Sequence, residues 1–244
     1  MAKVVFAIPG DITLPTGGYA YDREVLALLP ALGLEVTHLE LPGGYPNPTA
    51  ADLERTSELV AGTPSDAVLL IDGLAYGAMP VALVERLNRP IVALVHHPLC
   101  IEAGVPPARA DELKALETVA LSCAAHVVVT SPTTARTLVA DFAVPSERVA
   151  VAVPGTDAAQ RATGGGGTPL ALLAVGSLVP RKGYDVLVRA LAADAATHGR
   201  DWTLSIVGAL DRSPATVDEL RDQITQAGLA DRIELAGPKS RKAL

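Results

Sequence analysis

Aromatic residues make up only 3% of the 244-residue chain, with one tryptophan, two phenylalanines and five tyrosines. A core cannot be built around rings, so Ala, Val and Leu must supply it within a hydrophobic content of 49%. That suits parallel strands flanked by helices better than a packed sandwich. Cysteine is nearly absent. Cys100 and Cys123 have neither CxxC nor metal-ligand spacing, which excludes a disulfide framework and fits two inert thiols in a reducing compartment. The net charge is -7, and there is no lysine-rich block and no run of stacking aromatics. The electrostatic footprint of a nucleic-acid binder is missing, so neither DNA nor RNA is an expected partner.

Neither a targeting nor a spanning segment is expected. The chain runs directly into the strand-like Val4 to Ile8 without the charged start, apolar stretch and cleavage site of a signal peptide, and a cytoplasmic location is expected. The nearly uncharged window Ala67 to Val84 has the length of a membrane span. Asp72, Gly73, Gly77 and Pro80 interrupt it, and a strand, a turn and a helix started by proline explain it better. The chain lacks GxGxxG, GxxxxGK[ST] and HExxH, and it shows no Ser-His-Asp spacing and no cysteine nucleophile.

What is present is a regular alternation of strand and helix signals. Short apolar runs at Val4 to Ile8, Glu35 to Leu39, Ala67 to Ile71, Ile91 to Val95, His126 to Thr130 and Val149 to Val153 read as strands. Helical spacing fills the gaps: Tyr19 to Leu32, Ala50 to Ala61 closed by Gly62, Pro80 to Leu87, Ala108 to Cys123, and a helix capped by Ser131 with Pro132 at its first position. Helix-sized crossovers between strands predict an α/β fold with a doubly wound, mostly parallel sheet over residues 1–163. Gly164 to Gly167, followed by Thr168 and Pro169, is the strongest linker signal, giving a linker over 164–169. The pattern then restarts over 170–244 with strands at Leu170 to Val175, Thr203 to Val207 and Arg232 to Leu235 and helices at Tyr184 to Thr197 and Pro214 to Gln226. This is roughly half of a second doubly wound domain.

Ligands of such sheets bind outside the carboxyl ends of the strands. Gly17-Gly18, at the entrance of the first helix, offers backbone N–H groups and the positive end of a helix dipole. Asp72 ends the third strand, and His96-His97-Pro98 follows the fourth, with Glu102 close behind. Alternation along the strand points the two histidines in opposite directions, so at most one faces a ligand. In Ala174 to Leu191, AVGSLVPRKGYDVLVRAL, a glycine turn carries Ser177, Arg181 and Lys182 into a helix. An isolated Arg-Lys pair is ordinarily a solvated turn; this one occupies the position where α/β sheets take phosphates.

Together, PTGG, VHHPL, HVVVTSPTTARTL, VAVPGTD, AVGSLVPRKGYDVLVRAL and LSIVGALDR resemble the retaining glycosyltransferases of the GT-B fold, in the large family-four group. The resemblance implies two Rossmann-like domains, an acceptor-side one first and a nucleotide-sugar-binding one second. It implies transfer of a sugar, with retention, from a nucleotide-diphosphate sugar to an unknown acceptor. Carried over, Gly17 and Gly18 approach the donor diphosphate, His97 or His96 matches the histidine near the reacting sugar, and Arg181 and Lys182 neutralise the pyrophosphate. Asp72, Glu102 and Ser177 are further cleft candidates; Ser177 stands where many members carry arginine. No cofactor and no metal are expected. The Glu-rich segment that holds the donor sugar in the family has no counterpart in these residues. A donor-incompetent form of the same fold is therefore the alternative reading, and Leu170 to Val175 becomes an apolar strand edge, so this second part is expected either to pair with another chain, as in a homodimer, or to be poorly ordered.

Overall fold

The structure, a computed structural model, describes residues 2–102, 104–161, 169–199 and 201–239, the side chains of 195–198 excepted. It divides into two compact units, Met1–Thr156 and Asp157–Leu244. The glycine run of the expected linker lies outside the described residues.

In the first unit, six parallel strands, β1 (Ala2–Pro9), β2 (Leu34–Leu41), β3 (Val68–Asp72), β4 (Ile91–Val95), β5 (His126–Val129) and β6 (Val149–Val151), lie in the order β2-β1-β3-β4-β5-β6. The order reverses between β1 and β3, which makes their carboxyl ends the switch point where such sheets receive ligands. Alternate residues of β1 feed two cores. Val5 and Ala7 join a large cluster with Leu69, Ile71 and Val127, while Phe6 and Ile8 pack with Leu94, Val25 and Tyr21 on the other face. Burial on both faces is why this strand reads as an unbroken apolar run.

The helices are α1 (Gly17–Leu28), α2 (Ala50–Ala61), α3 (Gly73–Tyr76), α4 (Val81–Leu87), α5 (Pro107–Cys123) and α6 (Pro132–Asp141). Thr16 caps α1, accepting from the Tyr19 N–H at 3.2 Å. The helix predicted to reach Leu32 ends earlier, and Leu29–Leu32 tightens into a 3-10 turn, because Pro30 has no N–H for the helical ladder. Thr49 and Asp52 cap α2 reciprocally, and Ser131 caps α6 as its sequence predicts. The short α3 is not foreseen by periodicity; Asp72 starts it by accepting the Leu74 N–H at 2.6 Å. The last strand stops at Val151 rather than Val153, whose side chain is exposed.

The second unit has β7 (Leu170–Val175), α7 (Tyr184–His198), β8 (Trp202–Val207), α8 (Pro214–Gln226) and β9 (Ile233–Gly237), with parallel strands in the order β7-β8-β9. Leu172 and Ala174 of β7 pack with Leu204, Ile206, Val188 and Leu220 in one core. The alternate β7 residues Leu173 and Val175 are 55% and 58% exposed. Among the described residues β7 pairs on one side only, so it is an apolar edge carrying neither proline nor charge. No helix of the described residues is long and apolar enough to cross a membrane.

Candidate functional site

The switch point of the first unit gathers three side chains from three elements. His96 follows β4, Asp72 ends β3, and Asp22 lies on α1. His96 Nε2 is 3.0 Å from Asp22 Oδ1 and 3.5 Å from Asp72 Oδ2. Gly18 and Asp22 are four residues apart on α1 and so share a face. A Cβ on Gly18 would stand 3.4 Å from His96 Cδ2, so the imidazole lies against bare backbone there. Tyr21 adds an edge contact to the ring at 5.4 Å between centroids. Tyr19 ties the start of the helix to the end of β1, donating its hydroxyl to the Pro9 carbonyl at 2.6 Å.

The two carboxylates are buried and the histidine is not fully so: side-chain exposures are 0% for Asp22, 3% for Asp72 and 24% for His96. Burial pushes the Asp22 carboxyl up to about 6; the hydrogen bond from His96 works against that rise, and the charge of Asp72 adds to it. Burial alone would depress the imidazolium, but the hydrogen bonds to Asp22 and Asp72 outweigh it and hold His96 up at about 9. Near neutral pH the cluster is an imidazolium clamped between two carboxyl groups. Among the described residues this is the one gathering of three metal-ligating side chains, its ligand atoms lying within 4.8 Å of one another.

His97 faces elsewhere, its Nε2 lying 3.3 Å from the Ile101 carbonyl. Gly17 faces open space, and Glu102 is exposed at the end of the turn Leu99–Ile101. Neither Gly17 nor Glu102 belongs to the gathered group. Asp22 is the site residue that sequence reasoning misses. At helical spacing in an amphipathic stretch it reads as a solvated face, and its one signal is its position four residues after Gly18. Glu117 is missed for the same reason. It is fully buried on α5, accepts the Leu99 N–H on Oε2 at 3.0 Å, and lies so close to Gly77 that a Cβ there would stand 3.1 Å from its carboxyl carbon. Burial pushes it up to about 7, with the Leu99 hydrogen bond pulling the other way. It thereby anchors the segment that follows His97.

In the second unit the turn after β7 is built by close backbone approach. A Cβ on Gly208 would overlap the Gly176 carbonyl, so the turns that follow β7 and β8 touch through glycine. Tyr184, on the first turn of α7, donates its hydroxyl to the Gly176 carbonyl at 2.9 Å, and the Lys182 stem lies within 3.4 Å of the Cβ position of Gly176. Leu178 anchors the turn in the core, while Ser177 is half-buried beside it. Arg181 and Lys182 occupy the exposed 3-10 turn Pro180–Lys182, and Gly183 at φ 65° leads into α7. The basic pair thus stands on the loop at the carboxyl end of β7.

Residues 4–155 match the model of the glycosyl transferase 4-like domain, and residues 156–244 match that of glycosyl transferases group 1. No curated protein matches the chain. Among solved structures, the chain is similar to Anabaena HepE in complex with UDP and glucose, at 18% identity and a TM-score of 0.65, covering 98% of this chain and 70% of that one. It is similar to the lipopolysaccharide outer core galactosyltransferase WaaB, at 12% identity and a TM-score of 0.63, covering 99% and 69%. A glycosyltransferase from Rickettsia africae aligns at 14% identity and a TM-score of 0.61, covering 98% and 69%. At these identities the likeness shows the fold. The family models span the chain from Val4 onward, and the two parallel-sheet units are the ones that they describe. The chain belongs to the glycosyl transferase 4-like and group 1 families, a GT-B glycosyltransferase sequence of two Rossmann-like domains, the second represented by three strands among the described residues.

Proposed function

We propose that these 244 residues comprise the acceptor-side domain and the diphosphate-contacting part of the donor domain of a retaining glycosyltransferase that uses a nucleotide-diphosphate sugar. By themselves they engage the donor through its phosphates and do not transfer the sugar. The observation that carries this reading is the second unit itself: the Gly176–Lys182 turn is in place, while among the described residues the sheet has three strands with β7 at its edge. The leaving group of such a reaction is a nucleoside diphosphate, so charge develops on phosphate oxygens. Arg181 and Lys182 can each supply a charge-assisted hydrogen bond worth about 1.5–3 kcal/mol. Two of these give roughly millimolar affinity, on a scale where 1 mM corresponds to about -4 kcal/mol. The Glu-rich segment that the resemblance places against the sugar and ribose has no counterpart in these residues.

In this reading His96 faces the reacting sugar, and neither a metal nor another cofactor takes part. The phosphate turn carries no carboxylate that would call for a bridging cation. The exposed β7 edge is covered by a second copy of the chain, and the location is cytoplasmic, in keeping with Cys100 and Cys123 both being free thiols. The test is a transfer and hydrolysis assay of the 244-residue chain with UDP-, GDP- and ADP-sugars. The expected result is no turnover with any donor, and multiple turnovers with any of them would overturn the reading that these residues bind the donor without transferring its sugar.

A further inference from the structure

We propose that Asp22 is a positioning residue for His96: together with Asp72 it holds Nε2 as a hydrogen-bond donor, which leaves Nδ1 as the ring nitrogen offered to an oxygen of the bound ligand. This rests on the reading of the β4 end as part of the sugar-transfer site.

The geometry separates the two sides of the ring. Nε2 is 3.0 Å from a carboxylate oxygen on α1 and 3.5 Å from another at the end of β3. Asp22 and Asp72 are both buried, and Tyr21 meets the ring edge-on at 83°. These are the titratable groups that face the imidazole. Nδ1 makes no hydrogen bond to the described residues, and the ring keeps 24% of its side-chain surface exposed. A carboxylate accepts and cannot donate when ionised, so the nitrogen beside it must carry a proton. Asp22 therefore fixes both the tautomer and the charge of His96. In the charged form Nδ1–H is also a donor, so His96 stabilises a hydroxyl or anionic oxygen by donation and does not act as a base at neutral pH. Asp22 Oδ2 is buried without a hydrogen-bond partner among the described residues, so it is Oδ1 that meets the imidazole.

The test is a pH titration of the full 244-residue chain labelled with 15N-histidine, in which ring-nitrogen shifts report tautomer and charge; His96→Gln and His97→Gln, each removing its own signals from those of the five histidines, assign the two rings. Wild-type His96 is expected to titrate above the ordinary imidazole range and, once deprotonated, to keep its proton on Nε2. Asp22→Asn should lower the midpoint by about one pH unit or more, a tenfold shift in the protonation equilibrium. Asp72→Asn should lower it less, and His97 should not move in either variant. A merely structural role for Asp22 would change stability without moving the His96 midpoint. An unshifted midpoint in a folded Asp22→Asn protein overturns the proposal. If that variant does not fold, the wild-type tautomer decides, since a proton on Nδ1 at high pH overturns the proposal and one on Nε2 supports it. No donor or acceptor enters the measurement, so its failure is distinct from that of the transferase reading.

Discussion

His96 Nε2 lies 3.0 Å from Asp22 Oδ1, across 74 residues of sequence, and this contact joins the first helix of the chain to the end of a central strand. Because the imidazolium is held at about 9, above the ordinary 6.5, its stabilising contribution is complete below about pH 6.5 and is lost as pH rises through 9. Urea denaturation of the first unit at pH 6, 7.5 and 9.5 should therefore give falling stability, by on the order of 1–3 kcal/mol over the range. Stability that is level or rising over that window would contradict the clamp.

Glu117 gives a second, lower window. Its carboxyl is raised by burial from 4.5 to about 7, so it favours the fold when protonated, and that contribution fades as pH rises from about 4.5 through 7. Glu117→Gln stays neutral and keeps an acceptor for the Leu99 N–H, so it should flatten the pH dependence in this window and equal or exceed wild type at pH 8. Glu117→Leu removes the acceptor and should cost about 1–3 kcal/mol at pH 5. Denaturation curves of the two variants separate these effects.

Gly208→Ala tests the backbone contact beneath the phosphate turn. The added Cβ would overlap the Gly176 carbonyl, and overpacking of this kind costs about 1–3 kcal/mol or more. Trp202 is the sole tryptophan of the chain and is buried in the second unit, so its fluorescence reports that unit alone. The variant should shift the tryptophan transition to lower denaturant and leave the first unit's transition in place. An unchanged tryptophan transition would remove the argument for glycine at this position.

The β7 edge predicts an assembly state. Leu170, Leu173 and Val175 are all more than half exposed on a strand without proline or charge. Light scattering should find wild type as a dimer or larger species. Leu173→Lys places a charge on the exposed face at little cost to the fold and should shift the population toward monomer. A well-folded wild-type monomer would contradict the pairing.

The fold is legible in the sequence because its strands are buried on both faces. Val4 to Ile8 and Ile91 to Val95 appear as continuous apolar runs, and Ser131, Pro132 and Gly62 mark helix ends by local chemistry that tertiary packing leaves unaltered. Ends set by hydrogen-bond supply are less legible, as at Pro30, and so is α3, whose four residues are too few to show a period. The basic turn can be read because glycine, Arg181 and Lys182 are adjacent in the chain. The histidine clamp cannot. Asp22, Asp72 and His96 come from three elements, and only the strand order β1-β3-β4 and the bare backbone of Gly18 bring them together. Glu117 is hidden for a similar reason, because a glutamate within a helix is ordinarily solvated.

The central claim is that the Gly176–Lys182 turn takes the diphosphate of a nucleotide sugar. Calorimetric titration of UDP, GDP and ADP into the 244-residue chain, beside a variant carrying Arg181→Ala and Lys182→Ala, tests it most directly. Roughly millimolar binding of at least one nucleoside diphosphate is predicted, weakened about tenfold or more in the variant. Silence for all three, or binding that the loss of both cations leaves unchanged, would contradict the account.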